Sequence, residues 1–191
     1  ELEKQKQELA QKNKLSNFKV INTNGIGKKA AISESIQLAS GQLIVTTDAD
    51  CAMGKSWLRN LASYYENNQV KMICGPVLYC EEKGFFQKIQ SLEFAGLVGV
   101  GAASLKIKMP NMCNGANLCY TKKVFEEVNG YFGFDHIATG DDVFLMHKIA
   151  AKYHGEVHFI KSSDAVVATQ AISSLSGFLQ QRIRWASQGR E

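Results

Sequence analysis

The sequence predicts an α/β fold with a mixed, mostly parallel central sheet flanked by helices. Up to about residue 80, short apolar stretches alternate with stretches whose apolar residues recur at helical spacing. Strand–helix–strand order requires crossover connections, which place successive strands in parallel. The 191 residues contain only two prolines and no internal repeat, so we expect a single domain over 1–191.

The first part of the chain predicts three strands and two helices. In order, they are a strand over 18–22, a helix over 28–39, a strand over 42–47, a helix over 56–67 and a strand over 70–79. Gly41 ends the first helix, and Gly75-Pro76 interrupts the last strand.

The second part of the chain is more helical. It predicts an apolar helix over 85–106, an irregular segment over 109–120 that leads into a short strand, helices over 122–129 and 141–153, strands near 157–160 and 166–168, and a closing helix over 173–188.

Composition and charge narrow the class of protein. An apolar fraction of 45% and a charged fraction of 21% are typical of a globular protein. The net charge of +4 suits an anionic ligand, but it is too weak and dispersed to indicate nucleic acid. The longest mostly apolar run, Phe94 to Leu105, has 12 residues, whereas a membrane-spanning helix needs roughly 20.

The cysteines predict the redox compartment, and the start of the chain predicts an upstream segment. The five cysteines form no C-x-x-C pair, and the odd number argues against a disulfide framework, so a reduced, cytosolic compartment is the simpler interpretation. The four histidines show no metal-ligand spacing. Because the chain opens in a polar helical pattern and not on Met, we expect coding sequence upstream.

Asp48-Ala49-Asp50 is the first candidate site. These residues follow a predicted strand directly, and ligands of open α/β sheets bind beyond the carboxyl ends of strands. Two carboxylates one residue apart can share a divalent cation and its phosphate ligands. Two alternatives remain open from the residues alone: a polar loop that caps the next helix, and the aspartyl nucleophile of a phosphotransferase.

Thr139-Gly140-Asp141-Asp142 is the second candidate, at the start of a predicted helix. One carboxylate of the pair could accept a proton from an acceptor hydroxyl as a general base. The alternative is simple capping, because acidic residues at a helix start bind free amides and complement the helix dipole.

The third candidate is the segment Gln181-Arg182-Ile183-Arg184-Trp185. On a helix Gln181, Arg184 and Trp185 stand at i, i+3 and i+4 and share a face, and an amide, a guanidinium and an indole suit a sugar diphosphate. A basic amphipathic helix with a half-buried Trp is the alternative. Lys28 follows a glycine turn at a helix start, where phosphate could bind.

Taken in order, these segments resemble the family 2 glycosyltransferases, particularly the branch with the processive synthases of cellulose, chitin and hyaluronan. The resemblance covers the chain from about Phe18 onward. It rests on Gly27 to Ile32 and Gly41 to Val45 leading to D-A-D, on Asn114-Gly115-Ala116-Asn117 with Gly130-Tyr131-Phe132, on the Asp141-Asp142 pair, and on Gln181 to Trp185 as Q-x-x-R-W.

The resemblance implies the GT-A fold, with a donor half over 1–80 that lacks the family's first strand and an acceptor half over 81–191. It implies an inverting transfer from a nucleotide sugar to a hydroxyl of a glycan, polysaccharide or lipid-linked acceptor. Asp48 and Asp50 would hold Mg²⁺ or Mn²⁺ and the donor, and Lys28, Gln181 and Arg184 would contact its nucleotide or diphosphate.

On the acceptor side the resemblance implies that Asp142 is the general base and Asp141 its neighbour. Trp185, Asn114 and Gly115 would lie by the acceptor. Many such enzymes continue into membrane helices, so we expect membrane attachment through segments outside this chain, at the cytoplasmic face of the cell membrane.

Three other interpretations stay open at this point. The chain could bind nucleotide sugars without catalysis, it could be an aspartate-based phosphotransferase, or it could be an interaction domain whose Trp185 helix docks on a partner. The sugar, the acceptor and processivity are not readable from the sequence.

Overall fold

The computed structural model describes residues 19–23, 25–80, 82–133 and 140–186. The chain divides into two compact units, Glu1–Ala39 and Ser40–Glu191. In the first unit, helix α1 spans Lys28–Leu38 and follows Gly27, whose φ is 90°. The strand predicted over 18–22 is wrong for residues 19–22, which have no regular secondary structure because none of the described strands pairs with them. Phe18 lies outside the described residues.

The second unit contains the remaining elements, whose described bounds follow in chain order. They are β1 (Leu43–Thr46), β2 (Ala52–Met53), α2 (Trp57–Asn68), β3 (Met72–Cys74), β4 (Val77–Cys80), α3 (Phe85–Lys106), β5 (Leu118–Thr121), α4 (Lys122–Glu127), α5 (Asp141–Lys152), β6 (Val157–Phe159), β7 (Val167–Gln170) and α6 (Leu175–Ala186). Short 3-10 turns, Gly115–Asn117 and Ser163–Ala165, precede β5 and β7.

These strands form two sheets. The first has the order β1-β5-β3-β6, in which β5 runs antiparallel to both neighbours while β3 and β6 are parallel. Strands β1, β3 and β6 therefore point the same way, which confirms the predicted mixed, mostly parallel sheet. The second sheet has the order β2-β7-β4, with β7 antiparallel to β2 and parallel to β4. Both sheets combine strands from before and after residue 80.

Gly75-Pro76 separates the two sheets. The sequence predicts one interrupted strand over 70–79, but the structure splits it into β3 of the first sheet and β4 of the second. Proline has no amide hydrogen to donate to a strand ladder, so pairing stops there. The carbonyl oxygen of Pro76 instead accepts a hydrogen bond from Val167 N at 3.0 Å.

A buried apolar cluster stabilises the second unit. Its members come from helices α2 and α3, from strands of both sheets and from the segments next to those strands: Trp57, Leu61, Val70, Ile73, Val77, Phe94, Ala116, Cys119, Ile160, Ala165 and Val167. Helix α3 buries Phe94 and Leu105 but exposes Phe85 and Leu92. No helix in the described ranges has the length and apolar character that a membrane span needs. All five cysteines are free thiols.

Candidate functional site

Asp48 and Asp50 lie at the end of β1, where the chain turns into β2. The turn is closed by a hydrogen bond from Cys51 N to Asp48 O at 3.2 Å. Asp50 is exposed and Asp48 is half-buried. The pairing of β2 with β7 brings Thr169 beside this turn, and its Oγ1 donates to Asp50 Oδ2 at 3.3 Å. The two aspartates therefore stand at a strand end, with a hydroxyl orienting one of the carboxylates.

The chemistry of this turn fits a hard divalent cation. Within residues 19–23, 25–80, 82–133 and 140–186, no group of three or more His, Cys, Asp or Glu could hold a metal by itself. Mg²⁺ characteristically binds one or two carboxylates together with substrate phosphates, so two aspartates suffice when a diphosphate is present. Burial, and after it the negative charge of Asp50, raises the pKa of the Cys51 thiol. The two carboxylates offer the oxygen donors that Mg²⁺ and Mn²⁺ prefer.

Asp142 is held by two backbone amides at the start of α5. Gly140, with φ of 81°, adopts the left-handed conformation that glycine tolerates, and the helix begins at the next residue. Asp142 Oδ2 accepts a hydrogen bond from Gly115 N at 2.7 Å, and its Oδ1 accepts one from Val143 N at 2.9 Å. The carboxylate is half-buried and has a fixed orientation.

Asp141, next to Asp142 at the start of α5, lies near buried phenols. Burial raises the pKa of both Tyr120 and Tyr131, and the negative charge of Asp141 raises it further. Asp141 therefore lies close to two buried phenols, whereas Asp142 is bonded to the Gly115 amide. The thiol of Cys113 lies near Asp142, and its pKa is raised first by a hydrogen bond with Cys74, then by burial and by the charge of Asp142. The adjacent aspartates thus share the neighbourhood of Tyr131 and Cys113, and of the two it is Asp142 that accepts the Gly115 amide.

Gly115 connects Asp142 with the strand that leads to Asp48. While its amide donates to Asp142, its carbonyl oxygen accepts a hydrogen bond from Thr46 Oγ1 at 2.7 Å. Thr46 is the last residue of β1, two positions before Asp48. The structure therefore links the two predicted carboxylate sites through one buried residue, Gly115. Contact of Asn114 and Gly115 with an acceptor stays a prediction; Asn114 Oδ1 accepts from Ala116 N at 3.0 Å.

Gln181 lies near the part of the second sheet that contains Thr169. Its Oε1 accepts hydrogen bonds from Tyr79 Oη at 3.4 Å and from Arg182 Nη1 at 2.7 Å. Tyr79 in β4 is the register partner of Thr169 in β7, which donates to Asp50. Neighbouring strands therefore connect Gln181 of the Q-x-x-R-W segment with Asp50 of the D-A-D turn.

Trp185 is a partly buried side chain between aromatic and cationic groups. Its ring centroid lies 5.7 Å from that of Phe94, and the Arg182 guanidinium carbon lies 4.2 Å from it. The same guanidinium lies 4.4 Å from the Phe178 ring and forms an ion pair with Glu93 of α3. Arg182 thus binds α6 to α3.

Arg182 was not among the predicted contact residues, whereas Arg184, which is exposed, was. A signal for Arg182 was available, since Phe178, Arg182 and Trp185 recur at i, i+4 and i+7 on one helix face. Contact of Arg184 with a diphosphate stays a prediction. So does the role of Lys28, which is exposed at the start of α1 in the first unit.

Comparison with known proteins finds a family match and similar folds. The model of a family described as "Glycosyl transferase family group 2" matches residues 43–189. The poly-beta-1,6-N-acetyl-D-glucosamine synthase of Staphylococcus epidermidis is 24% identical over 168 residues, which cover 86% of this chain and 39% of that protein. This chain therefore spans well under half the length of the curated relatives that it matches.

Two solved structures are similar in fold. A mannosyltransferase from Pyrobaculum calidifontis, in complex with GDP-Man and Mn²⁺, has a TM-score of 0.70 and 20% identity, covering 97% of this chain and 48% of that chain. Glucosyl-3-phosphoglycerate synthase from Mycobacterium tuberculosis, in complex with Mn²⁺ and UDP-Glc, has a TM-score of 0.50 and 12% identity, covering 91% and 55%. These similarities confirm the GT-A fold that the sequence resemblance implied.

Proposed function

This chain belongs to glycosyl transferase family group 2, and from that premise we propose that it transfers a sugar, with inversion, from a nucleotide-sugar donor to a hydroxyl acceptor. The observation that carries the proposal is the hydrogen bond from Gly115 N to Asp142 Oδ2 at 2.7 Å. It orients one carboxylate next to the end of the strand that leads to Asp48 and Asp50. A general base and a cation-binding turn, linked through Gly115, fit the needs of a sugar transfer.

Asp48 and Asp50 form the donor side of the proposed site. They would hold Mg²⁺ or Mn²⁺ together with the donor diphosphate, and the two solved structures similar to this chain contain Mn²⁺ with GDP-Man or UDP-Glc. When bound, such an ion stabilises the negative charge that develops on a leaving diphosphate. Thr169 orients the Asp50 carboxylate for this purpose by donating to Oδ2.

Asp142 acts on the acceptor side. It accepts the proton of the acceptor hydroxyl while that oxygen forms a bond with the anomeric carbon of the donor sugar. The bond between the anomeric carbon and the diphosphate oxygen breaks, and the nucleoside diphosphate leaves with the electron pair. Attack from the face opposite the leaving group inverts the anomeric configuration. Asp141, near Tyr120 and Tyr131, supports the start of the helix and does not take the proton.

Helix α6 and the segment before β5 would complete the substrate contacts. Gln181 and Arg184 bind the diphosphate, while Trp185 and Asn114 lie toward the acceptor. The tie between Gln181 and Tyr79, next to the strand that carries Thr169, supports this placement. Lys28 would contact the nucleotide or its phosphates.

For the acceptor we propose a growing glycan or a lipid-linked glycan, because the matched Staphylococcus epidermidis protein is named as a synthase of a polysaccharide. We also propose that the domain works at the cytoplasmic face of the membrane. Apolar side chains project from the two helices that Arg182 and Glu93 join: Phe85 and Leu92 of α3 are 80% and 78% exposed, and Leu175 and Ile183 of α6 are 61% and 70% exposed. Such a face suits the interfacial region of a bilayer.

The transfer is tested by offering nucleotide sugars with Mg²⁺ or Mn²⁺ to the intact protein and measuring released nucleoside diphosphate and glycosylated product. Asp142→Asn should lower transfer by about 10²–10⁴-fold, the usual contribution of a general base. Asp164→Asn, which changes an exposed aspartate, is the matched control. Transfer that survives Asp142→Asn would remove the base from the proposal, and phosphate incorporated at Asp48 without sugar transfer would indicate a phosphotransferase instead.

The membrane location is tested by sedimentation with anionic phospholipid vesicles. The double variant Leu92→Ser and Ile183→Ser should reduce the bound fraction several-fold, because each removes apolar area from the proposed contact. Leu58→Ser, which changes a leucine on α2 that is 58% exposed, should leave binding unchanged. Equal binding of all three proteins would contradict a contact through α3 and α6.

A further inference from the structure

Asn117 is a completely buried polar residue at the entrance to β5. Its side chain has a relative exposure of 0% and makes three hydrogen bonds. Nδ2 donates to Pro76 O and to Ala165 O, each at 2.8 Å, and Oδ1 accepts from Trp57 Nε1 at 3.1 Å. A buried amide that uses both donors and its acceptor has one permitted orientation, because any rotation leaves buried polar groups unpaired.

These bonds fasten Asn117 to three distant segments. Trp57 begins α2, Pro76 lies between the two sheets, and Ala165 ends the turn before β7. The backbone adds a fourth contact, since Gly75 N donates to Asn117 O at 2.8 Å. The fit is tight: a Cβ added at Gly75 would lie 2.3 Å from Asn117 Nδ2. Asn117 is therefore fixed by its surroundings on every side.

The 3-10 turn Gly115–Asn117 connects the fixed Asn117 side chain with Asp142. Asn117 N donates to Asn114 O at 3.1 Å and closes the turn. Gly115, at the start of that turn, donates its amide to Asp142 Oδ2. The position of the amide that orients the carboxylate thus depends on a side chain two residues away that lies under the site.

We propose that Asn117 is a positioning residue for the sugar transfer, setting the Asp142 carboxylate through the Gly115 amide. The inference rests on the proposed role of Asp142 as general base. Asn117 is fully buried and touches no substrate, so its effect falls on the rate of the chemical step and leaves binding of the donor and metal unchanged. Misplacement of a reacting group by about 1 Å can cost on the order of 10²-fold in rate.

Two variants displace the Asn117 amide without deleting it. Gly75→Ala introduces a methyl group against Nδ2, and Trp57→Phe removes the indole N–H that Oδ1 accepts. Asn117→Ala is less informative because it removes three buried hydrogen bonds and destabilises the fold. Gly96→Ala is the matched control for Gly75→Ala, since a Cβ there meets nothing within 4 Å.

In the intact protein we expect Gly75→Ala to lower kcat by roughly ten- to hundredfold, and Trp57→Phe by a few-fold. KM for the nucleotide sugar and the Mn²⁺ concentration for half-maximal activity should stay within about twofold of the unmodified protein, as expected when only transition-state interactions are lost. Gly96→Ala should keep kcat. Loss of donor or metal binding in step with kcat would overturn the proposal, because a general disturbance of the fold predicts that result.

A double-variant cycle with Asp142→Asn separates this inference from the proposed function. If Asn117 acts through Asp142, Gly75→Ala should have little further effect once the base is absent. An equal loss from Gly75→Ala in both backgrounds would overturn the positioning role while leaving the base assignment intact. Unimpaired transfer by Asp142→Asn itself would instead show that the proposed function has failed.

Discussion

The two carboxylate sites of this chain are built in opposite ways. Asp142 is half-buried, and both of its oxygens accept backbone amides, at 2.7 and 2.9 Å. Asp50 is exposed and is contacted by two side chains, a hydroxyl at 3.3 Å and a thiol at 3.8 Å. The proposed base is therefore oriented by the backbone before any ligand binds, whereas the proposed donor site is only partly organised.

The difference follows from what each site must do. A general base has to meet one oxygen in one geometry, so rigid support from the interior of the protein increases the rate. A metal and diphosphate bring their own charge and oxygen ligands, so two carboxylates on a turn can bind them after small adjustments. The backbone hydrogen bonds therefore orient Asp142, while Asp48 and Asp50 lie at the surface of the second unit.

The largest expected effect that distinguishes the two sites is the response to metal. Asp50→Asn should lower transfer by about 10²-fold or more at limiting Mn²⁺, because it removes a carboxylate ligand. Excess Mn²⁺ should restore part of the activity, while the loss caused by Asp142→Asn should not depend on Mn²⁺. Activity measured against Mn²⁺ concentration checks both. Identical metal dependence of the two variants would contradict the division of roles.

Thr169 provides a smaller test on the donor side. Thr169→Val keeps the shape of the side chain but removes the hydroxyl that orients Asp50. We expect the affinity for Mn²⁺, measured by electron paramagnetic resonance in the presence of nucleoside diphosphate, to fall about tenfold. The kcat at saturating Mn²⁺ should remain close to that of the unmodified protein. A changed kcat with unchanged Mn²⁺ affinity would assign Thr169 to the Asp142 site instead.

Thr46 provides the corresponding test on the base side. Thr46→Val removes the hydrogen bond to Gly115 O, which contributes on the order of 1 kcal/mol. We therefore expect kcat to fall about fivefold with Mn²⁺ affinity unchanged, the reverse of the pattern for Thr169→Val. Steady-state kinetics at saturating Mn²⁺ measure the kcat of this variant. A tenfold weaker Mn²⁺ affinity in this variant would show that the two sites are not separable.

The smallest effect concerns the reactivity of Cys51. Since Asp50 contributes to the raised pKa of this thiol after burial, Asp50→Asn should lower that pKa toward its ordinary value. At a given mildly alkaline pH more thiolate is then present, and alkylation of Cys51 by iodoacetamide should accelerate by a few-fold. Mass spectrometry resolves the cysteines, with Cys80 as the internal control. An unchanged alkylation rate would mean that the charge of Asp50 does not raise the pKa of the Cys51 thiol.

Local patterns predicted the helices well. The predicted and observed bounds of α1, α2, α3 and α5 differ by at most one residue at either end, because the 3.6-residue period and the flanking glycines are properties of neighbouring residues. The strands were harder. β2 was not predicted, and Val70 to Tyr79 was treated as a single strand, because partners distant in sequence decide which sheet a strand joins.

The candidate site shows the same difference between what local patterns mark and what depends on distant partners. The sequence proposes Asp48, Asp50, Asp142 and Gln181 from their spacing, and their roles stay predictions. It does not mark Thr169 or Thr46, which stand in no local pattern. The ion pair of Arg182 with Glu93 of α3 was equally unpredicted, because its two residues lie on different helices.

Local sequence patterns establish the order of the helices, the residue types that can carry the chemistry, and the resemblance to family 2 glycosyltransferases. The bond between the Gly115 amide and Asp142, and the contact of Thr169 with Asp50, arise from the tertiary structure. They lie beyond the range of local patterns because they join residues that are 27 and 119 positions apart. Periodicity and spacing report on one or two turns of local structure, whereas such contacts exist only once both sheets are assembled.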